Sequence, residues 1–183
     1  MRKYAVLFVV PLVFFLDRLT KVLIIKNIGL HEGIDVTSFF SIVHARNLGG
    51  VFGFLHGHQY AQYIFTFLPI LIACALAYVI VVYTFSFAKT LALTFILAGA
   101  VGNIYDRIAY GNVVDFLDFY YKAYHWPAFN VADISISVGI GLWLFVELFH
   151  AKKEAPHSWS ENKGQLTKKA FKWIMNLLKK KRN

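Results

Sequence analysis

The segment between residues 99 and 116 reads GAVGNIYDRIAYGNVVDF, and residues 129–133 read FNVAD. The first segment begins inside a long apolar run and then carries several polar groups, and another apolar run starts directly after Asp133. Asp115 and Asp133 therefore lie on the two sides of one short connection between two predicted membrane helices. Ionisable groups at membrane depth are energetically costly and usually face a polar cavity, a partner or a reaction. Any function assigned to this chain must therefore explain the pair of carboxylates.

The composition is that of a membrane protein. The 183 residues are 58% hydrophobic and 17% aromatic, and the mean hydropathy is +0.54. These values lie above the norm for soluble domains and predict an integral membrane protein with one compact domain. The single cysteine, Cys74, excludes an intramolecular disulfide, so cysteine content gives no information about the redox compartment.

Four apolar runs predict four transmembrane helices, each long enough to cross a bilayer when allowance is made for flanking polar residues. These runs are at about residues 4–25, 61–87, 90–107 and 134–149. Two polar segments, 26–60 and 108–133, connect them, and the first of these has strand character. Basic residues at Arg2, Lys3 and Lys89 fall on one side together with the C-terminal tail. The positive-inside rule therefore predicts that both termini are cytoplasmic and that both polar segments lie outside.

The C-terminal segment, residues 151–183, has a composition of its own. It contains ten Lys or Arg residues against two Glu residues, so it holds most of the formal net charge of +9. Apolar residues recur in it at helical spacing: Leu166, Ala170, Trp173, Ile174, Leu177 and Leu178. This pattern predicts an amphipathic helix on the anionic cytoplasmic leaflet, with membrane lipids as partners. No nucleic-acid-reading motif accompanies the charge, so nucleic acid is not a predicted partner.

Asp115 and Asp133 are candidates for acid–base catalysis. If the third and fourth predicted helices are neighbours, the two carboxylates come close enough that one pKa rises and the pair shares a proton. The ionised member can then accept a proton from water while the protonated member donates one, as in aspartic proteases, and no metal or cofactor is required. His56 and His58 form a weak metal motif, but no carboxylate or cysteine stands nearby at ligand spacing, so no metal site is predicted.

Further polar residues are candidate supporting groups. Amide and guanidinium donors can orient carboxylates and bind substrate carbonyls, although the same groups also form ordinary interhelical hydrogen bonds. The members of this group are Asn47, Asn103, Arg107 and Asn130. Asp17 and Lys21 share one helix face, which permits either a structural ion pair or a polar face directed at a site. Asp106 is interpreted as a structural residue, and Asp118 as a solvated loop carboxylate.

The polar motifs together resemble those of the bacterial lipoprotein signal peptidases, also called signal peptidase II, across about residues 10–150. Each motif alone is weak, but five in the same order and spacing are specific. They are Asp17-x-x-Thr20-Lys21, Arg46-Asn47-x-Gly49, Gly99-Ala-x-Gly-Asn103-x-x-Asp106-Arg107, Gly111-x-Val113-Val114-Asp115-Phe116 and Phe129-Asn130-x-Ala132-Asp133.

This resemblance implies an all-α membrane aspartyl protease of four transmembrane helices, in the bacterial inner membrane, with its site near the periplasmic face. Asp115 and Asp133 would be the catalytic dyad, and the six supporting positions would line or brace the site. Residues 26–60 would form a small extracytoplasmic β-cradle, and residues 108–133 would contain a mobile helical loop. We expect a protease domain over residues 1–150, a basic tail over residues 151–183, and a monomeric protein.

The implied substrates are prolipoproteins whose lipobox cysteine carries diacylglycerol, cleaved on the amino side of that cysteine. Two other classes remain open. Intramembrane Asp, Lys and Arg residues are also typical of a small ion- or proton-coupled transporter, although the spans show no inverted repeat. A non-catalytic membrane scaffold that binds lipid through its tail is the third possibility.

Overall fold

The computed structural model describes residues 6–49 and 60–154. A short 3-10 turn at Val6–Phe8 leads into the first of four α-helices. The helices are α1 (Val9–Asn27), α2 (Ala61–Val82), α3 (Phe87–Tyr110) and α4 (Val131–Glu154). The predicted tail helix and the His56/His58 pair lie outside the described residues. A compact unit extends to Leu144, and the end of α4 from Phe145 belongs to a second unit.

Among the described residues, three helices are long and apolar enough to cross a membrane: Tyr63–Val82, Phe87–Tyr110 and Val131–Phe149. Helix α1 is not one of them because it carries Asp17, Arg18, Lys21 and Lys26. Three of the four helices therefore agree with the predicted class, an integral membrane protein. Helix α3 begins at Phe87 and ends at Tyr110, and the predicted span at about residues 90–107 lies within it.

Helix α1 hides its polar groups inside the fold. The side chains of Asp17 and Lys21 are 0% exposed, whereas Phe15, Leu19 and Leu23 are exposed. The helix packs against α3, which in turn packs against α2. The apolar outer surface of α1 is therefore the one that a hydrocarbon environment would favour.

The two polar segments combine into one antiparallel sheet, with the strand order β1-β2-β3-β4. Its strands are β1 (Gly33–Thr37), β2 (Phe40–Asn47), β3 (Val113–Tyr121) and β4 (Tyr124–His125). The expectation of a helical loop within residues 108–133 is wrong, since the structure has β3 and β4 there. The run VVDFLDFYY in β3 is rich in β-branched and aromatic residues, which favour a strand paired with β2.

An irregularity in the β2–β3 pairing determines which side chains meet. Ile42 pairs with Leu117, but Ala45 pairs with Asp115, so β2 contains one extra residue between the two pairs. A bulge of this kind redirects the side chains that follow it. Because Asn47 pairs with Val113, it is a diagonal neighbour of Asp115 on the same face of the sheet. The bulge thus brings the Asn47 amide to the Asp115 carboxylate.

Small residues allow α3 and the first part of α4 to approach closely, as is common between membrane helices. A Cβ atom at Gly99 would overlap the carbonyl oxygen of Ala132, and one at Gly139 would lie 2.6 Å from that of Ala92. The Ser135 hydroxyl also donates a hydrogen bond of 2.7 Å to the Phe95 carbonyl. This close approach fixes the N-terminus of α4 beside α3.

We predict that Gly99→Ala lowers the unfolding temperature in detergent by several degrees. The added methyl group would meet backbone, which cannot move aside cheaply, and overpacking costs about 1–3 kcal/mol. Gly141→Ala on α4 is the matched control, because nothing lies within 4 Å of the place that its Cβ would occupy. Alanine there should leave the unfolding temperature unchanged or raise it. Equal unfolding temperatures for the two variants would contradict the close packing of α3 and α4.

Candidate active site

Asp115 lies on β3 and is almost completely buried, with 3% exposure. Its two carboxylate oxygens accept hydrogen bonds from two side-chain amides, Asn47 Nδ2 at 3.0 Å and Asn130 Nδ2 at 2.6 Å. Burial raises the pKa of Asp115 to about 7, and the charge of Asp133 adds to the rise, while the two amide hydrogen bonds oppose it. A carboxyl group with this pKa can be protonated at neutral pH, which suits a catalytic acid.

The Asn47 amide is itself held in one orientation. Its oxygen accepts a hydrogen bond of 2.9 Å from the backbone N–H of Gly49, so its nitrogen is directed towards Asp115. Gly49 adopts a φ of +112°, in the region that favours glycine, and a Cβ atom there would overlap the Phe65 ring. The turn after β2 thus requires a glycine and fixes the amide of Asn47.

Asp133 lies in the first turn of α4, where Asn130 is the residue before the helix. The Asn130 side-chain oxygen accepts a hydrogen bond of 3.0 Å from the Asp133 backbone N–H. In return, Asp133 Oδ2 accepts one of 3.2 Å from the Asn130 backbone N–H. This reciprocal arrangement is a capping box, which satisfies two otherwise unpaired donors at the helix end. The cap therefore holds the Asp133 carboxylate in place.

Asn130 and Asn103 connect the two carboxylates. The fully buried Asn130 donates from the same nitrogen to Asp115 Oδ1 at 2.6 Å and to Asn103 Oδ1 at 3.2 Å. Asn103 in turn donates to Asp133 Oδ1 at 2.7 Å. Both aspartates are thus positioned by one continuous chain of amide hydrogen bonds.

Backbone pairing brings the start of α4 to β3. The Phe129 carbonyl accepts hydrogen bonds from the Phe116 and Leu117 N–H groups, and the Phe129 N–H donates to the Leu117 carbonyl. This pairing places Asn130, the next residue, against Asp115. It explains how two aspartates separated by a strand and a loop reach the same site.

A buried ion cluster lies behind the carboxylates. The Lys21 ammonium group contacts Asp17 at 2.8 Å, Asp106 at 2.8 Å and Asn103 Oδ1 at 3.2 Å, which matches its three protons. The other oxygen of Asp17 accepts a hydrogen bond of 3.0 Å from the Ala132 N–H, where a carboxylate also interacts favourably with the helix dipole of α4. Asp17 and Lys21 therefore form the ion pair considered from the sequence, and hydrogen bonds connect that pair to Asn103 and to the start of α4.

Arg107 lies at the edge of this network. Its Nη1 donates a long hydrogen bond of 3.4 Å to the Asn103 carbonyl. Its Nε is buried and has no hydrogen-bond partner among the described residues. The side chain borders a cavity of about 190 Å³ together with Tyr63, Thr66 and Phe67 of α2. Within the described part of the chain, one donor of Arg107 therefore has no partner, and the residue lies at the edge of this cavity.

A larger cavity of about 670 Å³ opens beside the carboxylate pair. Three of the candidate residues border it, namely Asn47, Asp115 and Asp133. Its remaining walls are mainly apolar: Trp126, Pro127, Ala128, Phe129, Ile134, Ser137 and Val138. The structure therefore brings the two predicted catalytic residues together at one cavity. Asn103 and Asn130 support them from behind, and Asp17 and Lys21 lie deeper.

One carboxylate differs from the interpretation of the sequence. Asp118 is not solvated: it is 7% exposed and accepts hydrogen bonds from Ser41 Oγ at 3.2 Å and His125 Nδ1 at 2.8 Å. It lies on β3, where pairing with β2 covers it. Asp106 contacts Arg18, Lys21 and the Val114 N–H through its oxygens, which fits the structural role interpreted from the sequence. Arg18 was missed, although its position next to Asp17 was a possible signal.

Among the described residues there is no group of three or more His, Cys, Asp or Glu side chains that could hold a metal ion. The fold and the site define a helical membrane protein with a pair of aspartates, one of them buried, at a mainly apolar cavity. A family model described as Signal peptidase (SPase) II matches residues 9–149. The chain belongs to the signal peptidase II family, and it is therefore a protease.

Individual relatives agree with this assignment. The chain is 41% identical over 160 residues to the lipoprotein signal peptidase of Syntrophus aciditrophicus, covering 84% of this chain and 99% of the relative. It is also 41% identical over 143 residues to that of Cupriavidus necator, covering 78% and 82%. A solved bacterial membrane enzyme structure, obtained in meso at 2.3 Å resolution, superposes with a TM-score of 0.72 at 28% identity, covering 84% and 92%.

Proposed function

We propose that this protein is an aspartic endopeptidase that removes the signal peptide from diacylglyceryl-modified prolipoproteins, on the amino side of the lipidated cysteine. The observation that carries the proposal is the pair of carboxylates at one cavity, with the pKa of Asp115 raised to about 7. The family match supports the substrate class, since relatives are named lipoprotein signal peptidases. Neither the transporter nor the scaffold alternative is favoured by that match.

Asp115 is assigned the acid role and Asp133 the base role. Asp133 accepts a proton from a water molecule, and the water oxygen attacks the scissile carbonyl carbon. Asp115 donates its proton to the carbonyl oxygen, which yields a neutral tetrahedral diol. The diol then collapses: its C–N bond breaks, the cysteine nitrogen gains a proton from Asp133, and Asp115 recovers one from a diol hydroxyl. Both carboxyl groups return to their starting states, as in aspartic proteases.

The amide network serves this mechanism by fixing geometry. Asn130 donates to Asp115 from its side-chain nitrogen and to Asp133 Oδ2 from its backbone N–H, so one residue contacts both carboxylates. Positioning of reacting groups is worth several kcal/mol of the activation barrier when it is set before the substrate arrives. Asn47 and Asn103 each donate to one member of the pair and complete the arrangement.

The cavity suits a substrate that lies in a membrane. Most of the residues that line it are apolar: Trp126, Pro127, Ala128, Phe129, Ile134 and Val138. An apolar signal helix and a diacylglyceryl group would remain in hydrocarbon while the scissile bond meets the carboxylates. The buried Nε of Arg107, which has no partner among the described residues, supports binding of a carbonyl or head-group oxygen nearby.

We place α1 in the membrane as a fourth span. Its 19 residues extend about 28 Å at ~1.5 Å per residue, and its exposed face is apolar. Four spans put both termini in the cytoplasm and the active site near the outer face of the inner membrane. We further propose a protease domain over residues 1–150, a lipid-binding tail over residues 151–183, and a monomer.

We predict that Asp115→Asn and Asp133→Asn each reduce cleavage of a diacylglyceryl prolipoprotein at least about 1000-fold, because each removes one half of the proton transfer. A gel-shift assay with purified protein measures this. Asp35→Asn is the control, since this exposed β1 carboxylate should leave the rate unchanged. Measurable turnover by either dyad variant would contradict the assignment. If the protein were a scaffold, these substitutions would leave its function unchanged. If it were a transporter, substitutions of Asp17 or Lys21 would reduce transport at least as strongly as substitution of Asp115.

We predict that cleavage by the wild type declines as pH rises through about 7, because Asp115 then loses the proton it must donate. Asn47→Ala removes a hydrogen bond that favours the charged form of Asp115. The declining limb of kcat/KM should therefore move to higher pH, by roughly half a unit to one unit. Asn27→Ala is the control, since this exposed residue at the end of α1 donates to the Leu23 carbonyl, away from the site. A limb that stays in place or moves to lower pH in Asn47→Ala contradicts this mechanism.

A further inference from the structure

Arg18 is held between two helices by four contacts. Its guanidinium group forms an ion pair with Asp106 and donates a hydrogen bond of 3.2 Å to the Tyr110 hydroxyl. It also lies over the ring of Tyr105, 4.7 Å from the centroid, and 5.4 Å from that of Tyr110. The side chain is only 14% exposed. A planar group with this many fixed partners has one orientation, as arginine stacked on aromatic rings commonly does.

Arg18 also neutralises the ion cluster. Without it, the Lys21 ammonium group would be shared by two fully buried carboxylates, Asp17 and Asp106. Removing one member of a buried ion pair leaves an uncompensated charge, which is strongly unfavourable. With Arg18 present, two cations face two carboxylates, so Lys21 can remain between its partners instead of moving fully to Asp106.

The cluster reaches both catalytic carboxylates through Asp106. Its Oδ2 accepts a hydrogen bond of 3.3 Å from the backbone N–H of Val114, the residue before Asp115. The same oxygen contacts Lys21, which donates to Asn103, and Asn103 donates to Asp133. A displaced Asp106 would therefore disturb the backbone at Asp115 and the hydrogen bond to Asp133 together.

We propose that Arg18 is a positioning residue for the reaction, which fixes and neutralises Asp106 and through it holds Asp115 and Asp133 in register. This inference rests on the proposed function for its kinetic consequences, but not for its electrostatic ones. Arg18 does not border the large cavity, so it acts on the carboxylates and not on substrate binding. The charged groups that act on Asp115 directly are Asp133 of α4, Lys21 of α1 and Arg107 of α3. Asp106 of α3 accepts from the N–H of Val114, the residue before Asp115, and its charge is balanced by Arg18 and Lys21 as long as both are present.

Arg18→Gln should lower kcat roughly tenfold while KM stays within about twofold, because geometry is disturbed and the cavity is intact. It should also move the declining limb of the pH profile upward by about half a unit or more, because the uncompensated charge of Asp106 disfavours ionisation of Asp115. Arg18→Lys retains the positive charge, so the declining limb of its pH profile should stay at the wild-type position. Tyr110→Phe removes one hydrogen bond only and is the matched control, with an unchanged limb.

The double variant Arg18→Gln/Asp106→Asn removes both charges, and the amide oxygen introduced at position 106 can still accept from the Val114 N–H. Its pH limb should return towards the wild-type position. If Arg18→Gln is folded and its limb coincides with that of the wild type, the proposal is wrong and Arg18 only stabilises the fold. A limb shifted equally in the single and the double variant would also overturn it, because the effect would not pass through Asp106.

An infrared titration of the purified protein separates this inference from the proposed function. The carbonyl band of protonated Asp115 is identified by its loss in Asp115→Asn, and no substrate is needed. The band should titrate at higher pH in Arg18→Gln than in the wild type. If the wild type fails to cleave prolipoprotein but the band shifts as stated, the proposed function fails and the role of Arg18 stands. If the enzyme is active but the band does not shift, the proposed function stands and the role of Arg18 fails.

Discussion

The hydrogen bonds of Asn130 are the contacts on which the site depends most. The side chain caps α4, binds Asp115 and reaches Asn103, and it has no solvent exposure. A buried amide that satisfies several partners must stay in one position, because each lost hydrogen bond would leave a buried polar atom unpaired. Asn130 therefore does more than hold one carboxylate. It contacts both Asp115 of β3 and Asp133 of α4, and so it fixes the position of one carboxylate relative to the other.

The ion cluster lies next to this amide network, and its charged side chains can be buried because their charges balance. Helix α1 contributes Asp17, Arg18 and Lys21, and α3 contributes Asp106, so that two cations meet two carboxylates at the helix interface. Buried charges are tolerated when they are paired and hydrogen-bonded. The cluster gives α1 an apolar exterior and a polar interior, which is the reverse of a surface helix of a soluble protein. The same contacts connect α1 and α3 to the site.

Much of this arrangement was predictable from the sequence, and the exceptions have physical reasons. The apolar runs predict the helices, and the motifs single out Asp115 and Asp133, because unexplained carboxylates between membrane helices are rare. The pairing of residues 40–47 with residues 113–121 was not predictable, because the two segments are far apart in the sequence. A one-residue bulge in β2 then decides whether Asn47 faces Asp115. The burial of Asp118 depends on the same pairing. Arg18 was missed because its partners Asp106, Tyr105 and Tyr110 are distant in sequence.

The central claim is that Asp115 and Asp133 act as one coupled pair. The most direct test is to titrate the Asp115 carbonyl band by infrared spectroscopy in the wild type and in Asp133→Asn. Coupling predicts a titration near pH 7 in the wild type, since the charge of Asp133 adds to the effect of burial. Neutralising Asp133 should move the titration of Asp115 to lower pH. An Asp115 band that titrates at the same pH in both proteins would contradict the coupled pair.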